Sequence, residues 1–564
     1  MKMIHKGVSM GRSLLIGGLT VAAVMVGTIV LTTAQTKKEA PAPAKASARP
    51  AKPTEANIAA GEAVYFKKCV WCHGPEGAGD GPGADRLWPR PRNFNQGTFK
   101  VRHTGSGELP TKEDLVLTVT NGLPGSAMPS WGGVLTPEQI SQVVDFVAVK
   151  LVKERDFQDT DTEEFNVINY GKQVASSEES IKRGREVFMS KGKCVECHGE
   201  EGRGDGNASQ KDEWGFPIFP ADLHKCWNFR GNRKDPYNPR NIFREVTTGL
   251  NGTPMPSFAD ALSDQERWDV ANFVISLCPK QQIDPLTDHP ALRFVVKSNF
   301  IKGDIKNNPD DPVWQKIAPQ YIGLAGQIMH KPRNFVRLVD EVWVKSLFNG
   351  KEIAWSFEWD DRFNSKLTEE AKAQAENFSE TPPAGEPIAM RKYPIFNDSV
   401  AIQFPSKWQS LVAPQKPRFV FGDAKQSIDL WKWEADGTTK EYTGHGAMGG
   451  DLKLDDRGSP NVKTIFSEFK NGRWRVIMTR AMTTENKEIE AQFEPGKYIP
   501  TVFFVWDGNN GDHGLKTSIS TWYYTILEPP ISTIAYVVPF FAIIAVFGLE
   551  GWILRKVKEA KRKK

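Results

Sequence analysis

Hydrophobic and polar positions change rhythm several times along these 564 residues, and each rhythm predicts a different element. An uncharged apolar run, Ser13 to Ala34, stands behind Lys2, Lys6 and Arg12, the layout of a signal peptide or signal anchor. A second, Ile531 to Leu554, carries only Glu550 and is long enough to span a bilayer as a helix. Between them, apolar residues first recur with helical period. Ile140, Val143, Val144 and Val147 follow the start signal Thr136-Pro137-Glu138-Gln139, and Val270, Phe273, Val274 and Leu277 follow a capping box from Ser263 to Glu266. From about Asp288 the period becomes two, as in Ile353, Trp355, Phe357 and Trp359, then Val400, Ile402 and Phe404, then Trp474, Val476 and Met478. Turn words such as "DGTT", "NG" and "DGNNGDHG" separate these runs, so the third region is predicted to be a mainly antiparallel β sandwich or barrel.

The helical part is written twice. "GEAVYFKKCVWCHGPEGAGDG" stands beside "GREVFMSKGKCVECHGEEGRGDG", and "TNGLPGSAMPSW" beside "TTGLNGTPMPSF", in the same order and at nearly the same spacing. The expected organisation is a signal or anchor at 1–35, an Ala/Pro/Lys tether at 36–56, a helical unit at 57–152 and an acidic linker at 153–178. A second helical unit follows at 179–280, then the β-rich domain at 281–528, a membrane helix at 531–554 and a basic tail at 555–564.

Charge places the tail. "RKVKEAKRKK" has seven basic residues and one acidic, which the positive-inside rule assigns to the cytoplasm, leaving the body between the apolar runs extracytoplasmic. The formal charge of +5 comes from the two basic ends. The rest is net acidic, which removes the electrostatic motive for nucleic-acid binding.

CxxCH is the attachment sequence of haem c, in which two thiols become thioethers and the adjacent histidine reaches the iron. Cys69, Cys72 and His73 form one such set, and Cys194, Cys197 and His198 the other. A zinc site would need two more ligands per motif, and the first unit offers no other cysteine and only His103 besides. Met128 and Met255, in matching Met-Pro-Ser words, are the expected sixth ligands. Histidine and methionine together close an iron to substrate and raise its potential, so each unit reads as an electron carrier. The glycine-rich words after each histidine lack the endings of phosphate or calcium loops and read as turns. Cys226 and Cys278 remain and read as a disulfide, with free thiols the alternative. Arg90, Arg92, Lys100 and Arg102 form a basic cluster, open to a haem propionate or to solvent.

On the CxxCH and Met-Pro words, residues 57–280 resemble two class I c-type cytochromes. On "FEWDD", "FNDSVAIQFP", "FVFGDAKQSIDLWKWEAD" and "FFVWDGNNGDHGLKTSISTW", the β-rich region resembles the haem b domain of the ethylbenzene dehydrogenase gamma-subunit family. That resemblance implies a haem b held between a methionine and a lysine. Lys516 matches the lysine, but Phe421 stands at the methionine position, leaving Met329 or Met448 as substitutes, a five-coordinate iron, or no haem.

The resemblances imply a membrane-anchored multihaem cytochrome with two haems c and room for one haem b. It would relay electrons between a molybdoenzyme of the dimethyl sulfoxide reductase superfamily, nitrite-oxidoreductase-like, and the respiratory chain. The implied partners are a molybdopterin catalytic subunit, an iron–sulfur subunit, a downstream cytochrome or oxidase, and the membrane. The alternatives are a haem enzyme with an open iron in the β domain, or a dihaem cytochrome whose β domain only docks.

Overall fold

The computed structural model describes residues 53–562 apart from 155–166, 207–209, parts of 227–236, 279–293, most of 368–393, 408–415, 447–452, 530–533 and isolated positions 419, 424, 459 and 460. The first apolar run and nearly all of the tether lie outside the described residues.

Helices begin where a side chain satisfies the free amides of the first turn. Thr54 accepts from the Asn57 amide at the start of α1 (Glu55–Lys68), and the short α2 (Val70–His73) follows it. Full capping boxes open α3 (Lys112–Asn121), α4 (Pro137–Phe146) and, later, α8 (Asp264–Ser276). The second unit repeats the plan with α5 (Glu178–Met189), α6 (Val195–His198), α7 (Pro239–Thr248) and α8. In each unit the first helix crosses the last at a glycine. A Cβ on Gly61 would lie 2.0 Å from the Gln142 carbonyl oxygen, and one on Gly184 2.0 Å from that of Asp269. Only glycine permits these crossings, which explains its place in both "GEAV" and "GREV".

The β region is one continuous sheet of 14 strands among the described residues, folded over onto itself. In spatial order its main path is β11 (Lys453–Asp456), β10 (Thr439–His445), β9 (Ile428–Glu434), β8 (Ser399–Pro405), β14 (Tyr498–Trp506), β16 (Tyr523–Glu528), β3 (Val295–Phe300), β6 (Glu341–Phe348), β7 (Glu352–Asp360), β13 (Arg473–Ala481) and β12 (Lys463–Phe469). Most pairs are antiparallel, but β3 runs parallel to both β16 and β6, so the sheet is mixed. β14 is the fold line: Tyr498–Thr501 pair with β16, and Val502–Trp506 pair with β8.

The alternating positions read from the sequence line the space between the two halves. Trp355, Phe357 and Trp359 of β7 and Val476 and Met478 of β13 share one buried cluster with Val400, Ile402 and Phe404 of β8 and Trp431 and Trp433 of β9. Trp355 and Trp431 meet edge to face at 5.4 Å. The "NG" at Asn471-Gly472 makes the β12–β13 hairpin, both residues having the positive φ (52° and 67°) that a tight hairpin turn demands.

The apolar C-terminal segment is a single exposed helix, α10 (Ile534–Arg562), with mean hydropathy 2.2 over its most apolar window. It continues through most of the basic tail, because Lys, Arg and Glu are good helix formers. The acidic linker is less of a tether than its composition predicts. Val167 bridges Thr104, and Tyr170 packs against Phe243 and Trp268 while its carbonyl accepts from the Trp268 indole at 3.0 Å. Cys226 and Cys278 form the disulfide, with Cα atoms 5.9 Å apart.

One buried ion pair pins the end of the sandwich. Arg480 Nη1 meets Asp429 Oδ2 at 2.7 Å, both side chains wholly buried, and Arg457 reaches the other oxygen of Asp429 from outside. Asp429 also accepts from the Ala491 amide and the Trp431 indole. Replacing Arg480 with alanine removes the buried cation from Asp429 and leaves it Arg457 alone, and the β domain is expected to lose about 3 kcal/mol, measured by urea unfolding of the haem-loaded chain in detergent.

Candidate functional site

Each CxxCH turn is closed by a carbonyl. His73 Nδ1 lies 3.1 Å from the Arg92 carbonyl oxygen, and His198 Nδ1 lies 3.0 Å from that of Ala221. A carbonyl only accepts, so Nδ1 carries the proton and Nε2 is left with its lone pair, the tautomer that a metal ligand needs. Burial lowers both imidazoles from their ordinary value, His73 to about 4, which keeps them neutral. His73 also stacks on Phe94 at 4.4 Å.

The glycine-rich words make these hydrogen bonds reachable. Gly74, Gly77 and Gly79 in the first unit, and Gly199, Gly202 and Gly204 in the second, all have φ between 72° and 79°. The turn they make returns the Gly79 amide to the His73 carbonyl at 2.9 Å and the Gly204 amide to that of His198 at 2.8 Å. A Cβ on Gly79 would fall 2.6 Å from the Pro91 carbonyl oxygen, and one on Gly204 2.5 Å from that of Pro220. These turns therefore hold the strap that ends in the histidine's acceptor.

The methionine loops of the two units are likewise built alike. The amides of Leu123 and Leu250 donate to the carbonyls of Met128 and Met255, both at 3.1 Å. Ser130 Oγ ties back to the Thr120 carbonyl at 2.7 Å and Ser257 Oγ to that of Thr247 at 2.6 Å. Both methionines are half-buried. Met255 packs against the same apolar cluster as Cys194, and Lys68, next to Cys69, reaches over the ring of Trp131 in the first methionine loop. Burial raises the Cys69 and Cys194 thiols to about 11, so they are neutral before attachment. In each unit one methionine thioether, two cysteine thiols and a lone-pair imidazole are a donor set that fits haem c.

Three residues of the basic cluster in the first unit, Arg90, Arg92 and Arg102, have partners in the second unit. Arg102 is fully buried and donates to the Thr248 and Gly249 carbonyls at the end of α7, satisfying that helix's free acceptors. Arg90 lies over Phe216 and Arg92 over Trp214, at 4.6 and 4.3 Å. These residues join the two helical units.

A second joint, which sequence reasoning missed, fixes the second unit to the β domain. The strap carrying Ala221 also carries Pro220, whose carbonyl accepts from Arg362, and Lys225, which meets Asp340 at 2.7 Å and Glu341 at 3.5 Å. Arg203 bonds Asp360 at 2.8 Å. Lys225 keeps its charge: burial opposes it, but Asp340 and Glu341 hold its pKa well above the ordinary value. The available signal was weak, no more than acidic residues flanking strands β6 and β7.

In the β domain, Phe421 is buried, adopts φ 72°, and lies against Phe504 at 5.1 Å while its amide donates to Gln403. Lys516 is buried too, with Nζ 3.1 Å from Asp512 and bonded to the Asn510 carbonyl. Burial lowers its pKa. Met329 is half exposed, and Met448 lies outside the described residues. Phe421 itself supplies no iron donor to pair with Lys516.

Residues 56–147 and 179–274 each match the family of cytochrome c oxidase, cbb3-type, subunit III, and residues 311–462 match the ethylbenzene dehydrogenase family. The helical units are thus cytochrome c domains and carry haem c. A respiratory nitrate reductase haem subunit of Haloferax mediterranei is 26% identical over 27% of this chain and 52% of its own length. The gamma subunit of dimethylsulfide dehydrogenase from Rhodovulum sulfidophilum is 28% identical over 24% of this chain and 49% of its own. The chain spans about half the length of these curated relatives. A solved reducing HAO-like protein complex of Kuenenia stuttgartiensis is 42% identical, covering 39% of this chain and 96% of that one, with TM-score 0.36.

Four acids, Asp222, Asp340, Glu341 and Asp360, crowd the second joint. Burial pushes Glu341 up to about 8, aided by Asp340 and Asp360, whereas Arg473 and Arg203 overcome burial to hold Asp360 far below the carboxylate range. Folded Glu341 therefore keeps a proton that the unfolded chain releases, and stability falls as pH rises from the ordinary carboxylate range through about 8. Glu341→Gln is expected to flatten that fall, by on the order of 2–4 kcal/mol, in calorimetric melts between pH 5 and pH 9.

Proposed function

We propose, for a chain that joins two cytochrome domains to an ethylbenzene dehydrogenase-type domain, that it is the membrane-anchored electron-transfer subunit of a respiratory oxidoreductase. The catalytic chain would be a molybdoenzyme with an iron–sulfur subunit, nitrite-oxidoreductase-like, and the other end of the relay a cytochrome or oxidase. The observation that carries the reading is the doubled unit of neutral histidine and tied-back methionine, with the second unit's histidine strap serving as the joint to the β domain. An electron path between them then needs no domain motion. The names of the curated relatives, haem or gamma subunits of nitrate, dimethylsulfide and chlorate enzymes, support it.

In this reading residues 57–152 and 179–280 are two class I cytochrome domains, with thioethers at Cys69, Cys72, Cys194 and Cys197 and iron held by His73 with Met128 and by His198 with Met255. The haem supplies one-electron redox chemistry. This chain fixes each imidazole's tautomer, keeps it neutral and holds the methionine loop rigid. Lys516 is the residue that would hold a haem b, once freed from Asp512 and deprotonated. Helix α10 anchors the chain, its basic end cytoplasmic and the haem domains on the periplasmic or equivalent face.

A pyridine haemochrome assay of the exported body, about residues 36–528, tests the cofactor count. Two covalent haems are required, and an extractable haem b in addition would assign the β domain a redox role. Met128→Ala and Met255→Ala are each expected to keep the haem attached and lower one potential by more than roughly 60 mV, a tenfold change in a one-electron equilibrium. Unchanged potentials would remove that methionine as a ligand.

A further inference from the structure

Three carboxylates meet inside the β domain where no charge is expected. Asp361 follows the last residue of β7, Asp398 precedes the first of β8, and Asp507 follows the last of β14, so three strand ends deliver one acid each. One oxygen from each lies within 4.8 Å of the others, and the three residues are no more than 4% exposed. Among the described residues none forms an ion pair with an arginine, lysine or histidine.

Their hydrogen bonds fix the orientation and leave one oxygen over. Asp398 accepts from the amides of Gly508 and Ser365, at 2.8 and 2.7 Å, and from the Trp474 indole at 3.0 Å. Asp507 accepts from the Asn510 amide at 3.1 Å, and Asp361 Oδ1 from the Phe363 amide at 3.2 Å. Asp361 Oδ2 is buried without a full hydrogen bond; the neighbouring Trp359 indole favours the charged carboxyl but makes no full hydrogen bond either. A buried carboxylate oxygen so poorly satisfied, in a cluster of three carboxylates, is costly unless a cation or a proton joins it. Burial raises all three pKa values, and the neighbouring carboxylates add to it at Asp361 and at Asp398, which is pushed up to about 8. Arg362 and Lys516 favour the charged form of Asp507 without bonding it.

We propose that Asp361, Asp398 and Asp507 form a buried site for one hard divalent cation that locks the ends of β7, β8 and β14 together. The donors are all oxygen, which excludes soft metals, and three carboxylates favour calcium, since magnesium usually takes one or two and keeps its water. Their spread is no larger than a calcium coordination sphere, about 4.8 Å across. The cation's place explains what it does. Arg362, next to Asp361, holds the Pro220 carbonyl of the second cytochrome's strap, and the turn after Asp507 presents the Asn510 carbonyl and Asp512 that hold Lys516. The inference does not depend on the electron-transfer reading, because it concerns only the β domain's own carboxylates.

The test uses the purified, haem-loaded chain in detergent. After stripping with EGTA it is equilibrated with calcium in an excess of magnesium, desalted, and its metal measured by mass spectrometry. Hydrogen exchange is compared between the two states. One calcium per chain is expected, with protection confined to peptides containing 361–365, 396–398 and 507–512. Asp361→Asn and Asp398→Asn should each weaken calcium at least about tenfold, whereas Glu201→Gln on the exposed surface should not. A wild-type chain without stoichiometric calcium overturns the site. So does calcium that protects other peptides, an arm that needs no variant to fold.

Discussion

The hydrogen bond from each CxxCH histidine to a backbone carbonyl is the constraint on which the rest depends. It decides which nitrogen carries the proton, and hence which one can face a metal, at no cost in charge. It also dictates chain path, because the acceptors lie 19 and 23 residues beyond their histidines and must be brought back beneath them. The left-handed glycines exist to make that return, and the strap they hold is rigid in both units. Electron transfer favours such rigidity, since an imidazole already oriented has little to reorganise.

In the second unit the same strap has two employers. Ala221 holds His198, while its neighbours Pro220 and Lys225 hold the β domain. The joint is polar and buried, and a hydrophobic one of equal area would be as stable. The ion pairs of Lys225 with Asp340 and of Arg203 with Asp360 instead fix one geometry, because a shift of a residue in either partner would leave buried charges unmatched. The first unit is joined differently. Arg102 caps α7, Arg90 and Arg92 stack on Phe216 and Trp214, and the Trp214 indole donates to Gln96.

Much of the fold was legible because it repeats or alternates. The doubled words carried both helical units, and period two carried β7, β8 and β13 onto the faces that become the core. Pairing Cys226 with Cys278 needed only the exclusion of the four CxxCH thiols. What was not legible is non-local. The parallel placement of β3 between β16 and β6 joins segments that share no turn. Arg102 reads from sequence as a propionate partner or a solvated cation because its actual partners, carbonyls 146 and 147 residues away, leave no mark in side-chain sequence. The acidic linker misled for a similar reason: two apolar residues, Val167 and Tyr170, outweigh its composition once Trp268 and Phe243 are near.

The β domain departs from the pattern its resemblance implies at the position with the strangest backbone. Phe421 holds a positive φ, which costs a bulky residue roughly 1–3 kcal/mol, and the surrounding structure enforces it. A Cβ on Gly444 would lie 2.4 Å from the Phe421 carbonyl oxygen, so the chain threads tightly there whatever side chain is present. The conformation therefore belongs to the fold, whatever side chain stands at position 421. With phenylalanine there, the ring joins Phe504 and Trp506 in an apolar layer that also takes in Leu515, and the neighbouring lysine turns to Asp512. In this arrangement the Asp512 carboxylate offsets the burial that would otherwise discharge Lys516.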